Sequence, residues 1–152
     1  AKIDYTKLCG RWHQAEVILR LDTANGIGTE AKVALQQAIA SQEKVKKQIE
    51  NGALAIVTQL NYDSTFTHEL IYANPKIRFP YYKETGKWSF NRATNQLSRQ
   101  STDQEVTSLE LTLVKRLDED ELILELRYDD EKYRGIVETI MLKKIDETKA
   151  KY

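Results

Sequence analysis

The chain has 152 residues, of which 23 are basic and 23 acidic, so its formal net charge is zero. Without a basic excess or a basic run, the composition is not that of a nucleic-acid-binding protein. No apolar run approaches the roughly 18 residues that a transmembrane helix needs. With 41% hydrophobic residues at this length, we expect one domain with its own core, at residues 1–152.

The first predicted strand covers residues 10–21. Apolar residues take every second position in its second half, at Ala15, Val17, Leu19 and Leu21. This period of two is typical of a strand with one buried face. Residues 1–8 precede the strand as a lead-in, and the turn residues at Gly26 and Gly28 end it.

A single helix is predicted between the first two strands, at about residues 29–50. Apolar or uncharged side chains recur every three or four positions, at Leu35, Ala38, Ile39, Gln42, Val45 and Ile49. Thr29 is a suitable N-cap. Asn51 and Gly52 supply the left-handed residue that ends a helix.

After the helix, the alternation indicates strands in consecutive hairpins. The predicted strands cover residues 54–60, 66–72, 86–90 and 96–100, followed by three long strands between residues 106 and 145. Residues 73–82 contain both prolines of the chain and are predicted to be a loop or an interrupted edge strand. Residues 146–152 form a charged C-terminal tail.

These elements predict an all-β fold of about eight strands with one inserted helix. The architecture that we expect is an up-and-down antiparallel barrel, because closing the sheet removes its exposed edges. A sandwich of two sheets is the alternative.

The sequence Gly10-Arg11-Trp12 stands at the head of this series of strands. In that position it resembles the lipocalins, within the wider calycin group. The resemblance implies that Trp12 closes one end of the barrel. It also implies that a basic residue of the last strand, here Lys143 or Lys144, packs over the tryptophan ring. The family usually has arginine at that position.

The sequence from Gly86 to Phe90 is similar to that of small secreted lipocalin-like domains of bacteria. This resemblance implies a secreted or periplasmic location, with the envelope as a further possibility. Classical lipocalins place a helix after the last strand, whereas this helix lies between the first two strands. In sequence it occupies the place of the helical lid of fatty-acid-binding proteins.

If the most apolar faces point inward, they form an aromatic-rich wall with a few polar groups, which is typical of a small-molecule pocket. The predicted ligand-binding residues are His68, Tyr72, Trp88, Phe90, Leu111, Leu124, Tyr128 and Glu138. A pocket of this kind requires an interior void of several hundred Å³, opening near residues 28–50. The alternative is that large side chains simply fill a small barrel.

Glu138 interrupts an apolar series on the last strand. The register that buries Ile136, Ile140 and Leu142 also turns the Glu138 carboxylate inward, where it needs a partner or a raised pKa. The opposite register, or a bulge, places Glu138 in solvent.

These patterns predict non-catalytic binding of a small apolar or amphipathic molecule, similar to a lipid or fatty acid, with the helix as lid or plug. The alternative is a protein-interaction or envelope-associated domain with a filled barrel. Two histidines and one cysteine offer few metal ligands, so no metal or cofactor is predicted. Cys9 and His13 lack the orienting third group of a cysteine hydrolase, and we expect no enzyme activity.

Overall fold

A computed structural model describes residues 3–73, 82–102 and 109–145. The predicted tail at 146–152, most of the predicted loop at 73–82 and the beginning of the 106–145 segment lie outside these ranges. A short 3-10 helix, Tyr5–Leu8, comes first. The strands and the α-helix are β1 (Gly10–Leu21), α1 (Ala31–Glu50), β2 (Leu54–Leu60), β3 (Thr65–Tyr72), β4 (Tyr82–Asn91), β5 (Gln96–Ser101), β6 (Leu109–Leu117), β7 (Glu121–Arg127) and β8 (Ile136–Lys144).

The eight strands form a closed, all-antiparallel, up-and-down barrel. Each strand pairs with the next one, and β8 pairs with β1 from Trp12 opposite Lys144 to Leu21 opposite Ile136. The predicted fold class, including the helix between the first two strands, is confirmed, and the two-sheet sandwich is wrong. The architecture is compatible with a lipocalin-like fold.

Trp12 closes one end of the barrel. Its side chain is fully buried, and its Nε1 donates a hydrogen bond to the carbonyl oxygen of Leu8 at 2.9 Å. The Nζ of Lys144 lies 5.2 Å from the centre of the tryptophan ring and donates to the carbonyl oxygen of Cys9. Lys144 is therefore the basic residue over the ring, because it pairs with Trp12 in register, whereas Lys143 pairs with His13.

Around Trp12, the closed end is filled by a cluster of buried apolar side chains. The cluster comprises Leu8, Cys9, Trp12, Leu60, Phe66, Trp88, Leu97, Val114, Leu122, Leu124 and Leu142. Each of the eight strands contributes at least one residue to this cluster, which forms the floor of the barrel.

The start of α1 is fixed by tertiary contacts rather than by a capping side chain. Glu30, not Thr29, holds the N-cap position, and its side chain makes no capping hydrogen bond. The prediction for Thr29 was therefore wrong. The backbone amides of residues 28–30 instead donate to carbonyl oxygens at residues 131, 132 and 134, in the turn between β7 and β8. These bonds hold the segment that leads into the helix against the turn between β7 and β8.

The helix lies against β1 and β2. Lys46 Nζ is 3.3 Å from Glu16 Oε1, and Glu16 pairs with Met141 on the outward side of the wall. Ile39, which the sequence places in the apolar stripe, is 40% exposed, whereas Ala31 is fully buried. The other five residues of the predicted stripe, Leu35, Ala38, Gln42, Val45 and Ile49, are partly buried, so the stripe lies where it was predicted except at Ile39.

The inward face of β6 is the opposite of the predicted one. Leu111 is 42% exposed and Leu109 59% exposed on the outer surface, whereas Thr112 is 3% exposed and faces the interior. A period of two identifies two faces but not which of them meets the core. Both faces of β6 carry apolar residues, so the alternation of its leucines did not identify the face that points into the barrel.

Gly86 lets β4 pack closely against β5. A Cβ at this position would lie 2.0 Å from the carbonyl oxygen of Gln100 and 2.7 Å from Cε1 of Phe66. The Phe66 ring can turn, but the carbonyl belongs to the strand backbone. We therefore expect Gly86→Ala to lower the free energy of unfolding by about 3 kcal/mol, at the upper end for overpacked sites.

Urea denaturation checks this prediction, with Gly52→Ala as the control. Gly52 has a φ of +78° and open space where its Cβ would be. Its substitution should therefore lose only the roughly 1 kcal/mol of a left-handed residue. Equal losses in the two variants would show that the approach of β4 to β5 is not tight.

Candidate functional site

A partly open cavity of about 160 Å³ lies inside the barrel, above the floor at Trp12. Its wall is formed by Trp12, Gln14, Ile56, Thr58, Leu60, His68, Leu97, Arg99, Glu110, Leu122, Leu124, Ile140 and Leu142. The volume is smaller than the several hundred Å³ that we expected. It is close to that of an apolar cavity of roughly 150 Å³ that binds benzene.

No residue of α1 belongs to this wall. The ion pair between Lys46 and Glu16 also lies on the outward side of β1. The helix therefore packs against the outside of the wall at β1 and β2. We expected the cavity to open near residues 28–50, but none of these residues lines it.

A wider depression of about 900 Å³ lies outside the closed end, next to Tyr62, Asp63 and Glu119. It is a broad, open surface between turns. The cavity inside the barrel combines apolar and polar side chains in its wall, which is the usual composition of a small-molecule site. The interior cavity is therefore the candidate site.

Thr58 and His68 form one polar pair in the cavity wall. Thr58 Oγ1 and His68 Nδ1 are 2.8 Å apart, in a hydrogen bond whose donor depends on the histidine tautomer. The pKa of His68 is lowered from 6.5 to about 4, mainly by burial and further by the positive charge of Arg99, while Glu110 opposes the shift. His68 is therefore uncharged at neutral pH.

Arg99 and Glu110 form an ion pair across β5 and β6, where they are register partners. Arg99 Nη2 donates to Glu110 Oε1 at 2.8 Å, and the Arg99 guanidinium lies 5.4 Å from the centre of the Phe66 ring. The other terminal nitrogen, Nη1, is buried and finds no acceptor among the described residues. A buried donor without an acceptor is unfavourable.

Tyr128 and Glu138 form a second polar pair. The Tyr128 hydroxyl donates to Glu138 Oε1 at 2.9 Å. Burial raises the pKa of the Glu138 carboxyl, the hydrogen bond from Tyr128 opposes that rise, and the negative charge of Glu110 adds to it. Burial and Glu138 also raise the pKa of Tyr128. Of the two registers considered for β8, the one that turns Glu138 inward is correct.

Four of the eight predicted ligand-binding residues lie in or beside the polar part of the barrel. His68 and Leu124 line the cavity. Tyr128 and Glu138 form their hydrogen-bonded pair between the end of β7 and β8. The wall and this pair are linked electrostatically, because Glu110 influences the pKa of His68, Tyr128 and Glu138.

The other four predicted residues lie elsewhere. Trp88 belongs to the floor, where its Nε1 donates to the carbonyl oxygen of Asn61 at 2.9 Å, and Phe90 packs against the same cluster. Tyr72 ends β3 opposite Leu54 and is not part of the cavity wall. Leu111 is on the outer surface, because the face of β6 was predicted wrongly.

Thr58, Arg99 and Glu110 line the cavity but were not among the predicted ligand-binding residues. The available signal was an arginine on one predicted strand and a glutamate on the next. Their pairing depends on the register between β5 and β6. Because Leu111 was predicted to face inward, its neighbour in the chain, Glu110, was placed on the outer face. The closed sheet brings the three residues together.

Within residues 3–73, 82–102 and 109–145, no three histidine, cysteine or carboxylate side chains are grouped as a metal site requires. In the same ranges, no helix combines the length and apolarity needed to cross a membrane. In comparisons with protein-family models, curated proteins and solved structures, nothing matches the chain.

Proposed function

We propose that this protein binds a small apolar or amphipathic molecule inside its barrel, without catalysis. The observation that carries the proposal is the cavity of about 160 Å³, whose largely apolar wall also contains the polar residues Gln14, Thr58, His68, Arg99 and Glu110. Burial of apolar ligand surface supplies affinity at roughly 25 cal/mol per Å². The polar groups orient the ligand.

The cavity volume limits the ligand to about the size of one substituted aromatic ring or a short chain. A long-chain fatty acid does not fit unless the barrel expands. A lipocalin-like identity and a secreted or periplasmic location are part of the same proposal. The coding sequence upstream of Ala1 tests the location, since a signal peptide there supports it.

Trp12 provides a direct test of binding, because it lines the cavity whereas Trp88 does not. Trp88→Phe leaves Trp12 as the single tryptophan. We expect α-methylstyrene to change the Trp12 fluorescence in a saturable way and to raise the melting temperature, because the ligand binds the folded state only. Palmitate should do neither.

Two matched substitutions locate the binding site. Leu124→Phe adds volume inside the cavity and should abolish the fluorescence response. Leu111→Phe makes the same change on the outer surface and should leave the response intact. If Leu111→Phe weakens binding as much as Leu124→Phe, or if no small apolar probe binds, the interior site is wrong.

The alternative function is that of a protein-interaction domain. The observation that favours it is the exposure of Leu109 and Leu111 side by side on the outer face of β6. In that case the cavity probes should fail, and replacing both leucines by serine should abolish partner binding without lowering stability.

A further inference from the structure

The inward face of the barrel carries more acidic than basic groups. Above the floor, the described strands place one guanidinium there, that of Arg99, and three carboxylates, those of Glu84, Glu110 and Glu138. Glu84 pairs in register with His68, so the two side chains share the inward face. Lys144 lies at the closed end, beside Trp12.

Arg99 contributes to this wall a buried hydrogen-bond donor that no described residue engages. Its Nη2 is engaged by Glu110, whereas its buried Nη1 has no acceptor among the described residues. Guanidinium nitrogens are donors only. A ligand that places an oxygen acceptor at Nη1 would therefore satisfy a donor that is otherwise buried without a partner.

The surrounding charges decide what kind of acceptor fits. A ligand carboxylate at Nη1 would stand close to the Glu110 carboxylate, which already neutralises Arg99, and within the field of Glu138. The raised pKa of Glu138 shows that the interior disfavours a further negative charge, and Glu110 is one of its causes. A neutral oxygen accepts the same hydrogen bond without this repulsion.

We infer that the ligand is an uncharged molecule with a carbonyl-type oxygen, which accepts a hydrogen bond from Arg99 Nη1. Its apolar remainder packs against Leu122, Leu124 and Ile140. This inference rests on the proposed function and specifies the chemistry of the occupant. Acids are excluded by charge rather than by size, and hydrocarbons bind without the polar contact.

Three probes of nearly identical shape test the inference at pH 7.5. Acetophenone is neutral and carries a carbonyl, α-methylstyrene replaces that oxygen by a CH₂ group, and benzoate replaces the methyl ketone by a carboxylate. By Trp12 fluorescence and calorimetry, we expect acetophenone to bind about tenfold or more tighter than α-methylstyrene, since the bond has a charged donor. Benzoate should bind more weakly than either.

Variants of the ion pair separate the donor from the charge balance. Glu110→Gln leaves the Arg99 donor in place but removes its neutralising charge, so benzoate should then bind at least as tightly as acetophenone. The double variant Arg99→Met and Glu110→Gln removes both charges, and acetophenone should lose its advantage over α-methylstyrene. Far-UV circular dichroism and melting temperatures show whether each variant folds, and the probe comparison in the unmodified protein stands without them.

The outcomes distinguish this inference from the proposed function. If neither neutral probe binds, the proposed function fails. If α-methylstyrene binds as tightly as acetophenone, the cavity binds ligands but Arg99 Nη1 does not anchor them, and the inference is overturned. Tighter binding of benzoate than of acetophenone by the unmodified protein also overturns it, because that result would assign the anchor to a charged ligand.

Discussion

Replacing Trp12 by alanine should lower the free energy of unfolding by about 3–5 kcal/mol, the usual loss for a buried tryptophan. Trp12 is fully buried, forms the floor below the cavity and belongs to the apolar cluster at the closed end. Small domains have about 5–15 kcal/mol in total, so this variant should be partly unfolded at 37 °C. Urea unfolding followed by circular dichroism measures the loss.

Trp12→Phe separates the contribution of the ring from that of the hydrogen bond to Leu8. It keeps most of the buried apolar area but removes the Nε1 donor, which leaves the Leu8 carbonyl without this partner. The loss should be about 1–3 kcal/mol.

Lys144→Gln isolates the cation over the ring. Because Lys144 is exposed to solvent, we expect a loss of about 0.5–1 kcal/mol. If Lys144→Gln costs as much as Trp12→Ala, the cation and not the burial of the ring holds this end together.

The second large effect is a loss of stability as the pH falls from about 6.5 to about 4. The folded-state pKa of His68, at about 4, lies below the unfolded value of 6.5. Between these values the unfolded chain binds a proton that the folded protein does not, so stability decreases as the pH falls through this window and is fully present above it. The shift corresponds to about 3 kcal/mol.

Other ionisable groups that face the interior also affect how the free energy of unfolding depends on pH. Protonation of Glu138 works the opposite way, because its folded pKa is raised and the folded state gains stability as the pH falls toward the unfolded value. Glu110 raises the pKa of His68 against the effect of burial. The net loss should therefore be somewhat smaller than that of His68 alone.

His68→Asn is the variant that tests the assignment. Asparagine keeps a side-chain hydrogen-bonding atom near the position of Nδ1, within reach of Thr58, but does not titrate. Its unfolding free energy should be nearly flat between pH 6.5 and 4.5, whereas that of the unmodified protein should fall. Parallel curves for the two proteins would show that His68 is not the group responsible.

The order and type of the elements followed from the sequence because they depend on local periodicity. Alternation in β1, β7 and β8 and the three-to-four spacing in α1 each bury one face, and consecutive hairpins leave few ways to pair the strands. The position of Trp12 and its contact with a lysine of β8 were also expected, but from the resemblance of Gly10-Arg11-Trp12 to the lipocalins rather than from periodicity.

The tertiary structure alone decided which residues form the candidate site. Which face of β6 points inward depends on the register, and the register depends on the whole closed sheet. In the structure, Leu111 faces outward and Glu110 faces inward, beside Arg99. The register of β8 likewise turned Glu138 toward Tyr128. The cavity volume depends on how side chains from eight strands fill a shared space, which no single strand's pattern records. Periodicity along the chain therefore determined the wall of this barrel, and long-range packing determined what the wall encloses.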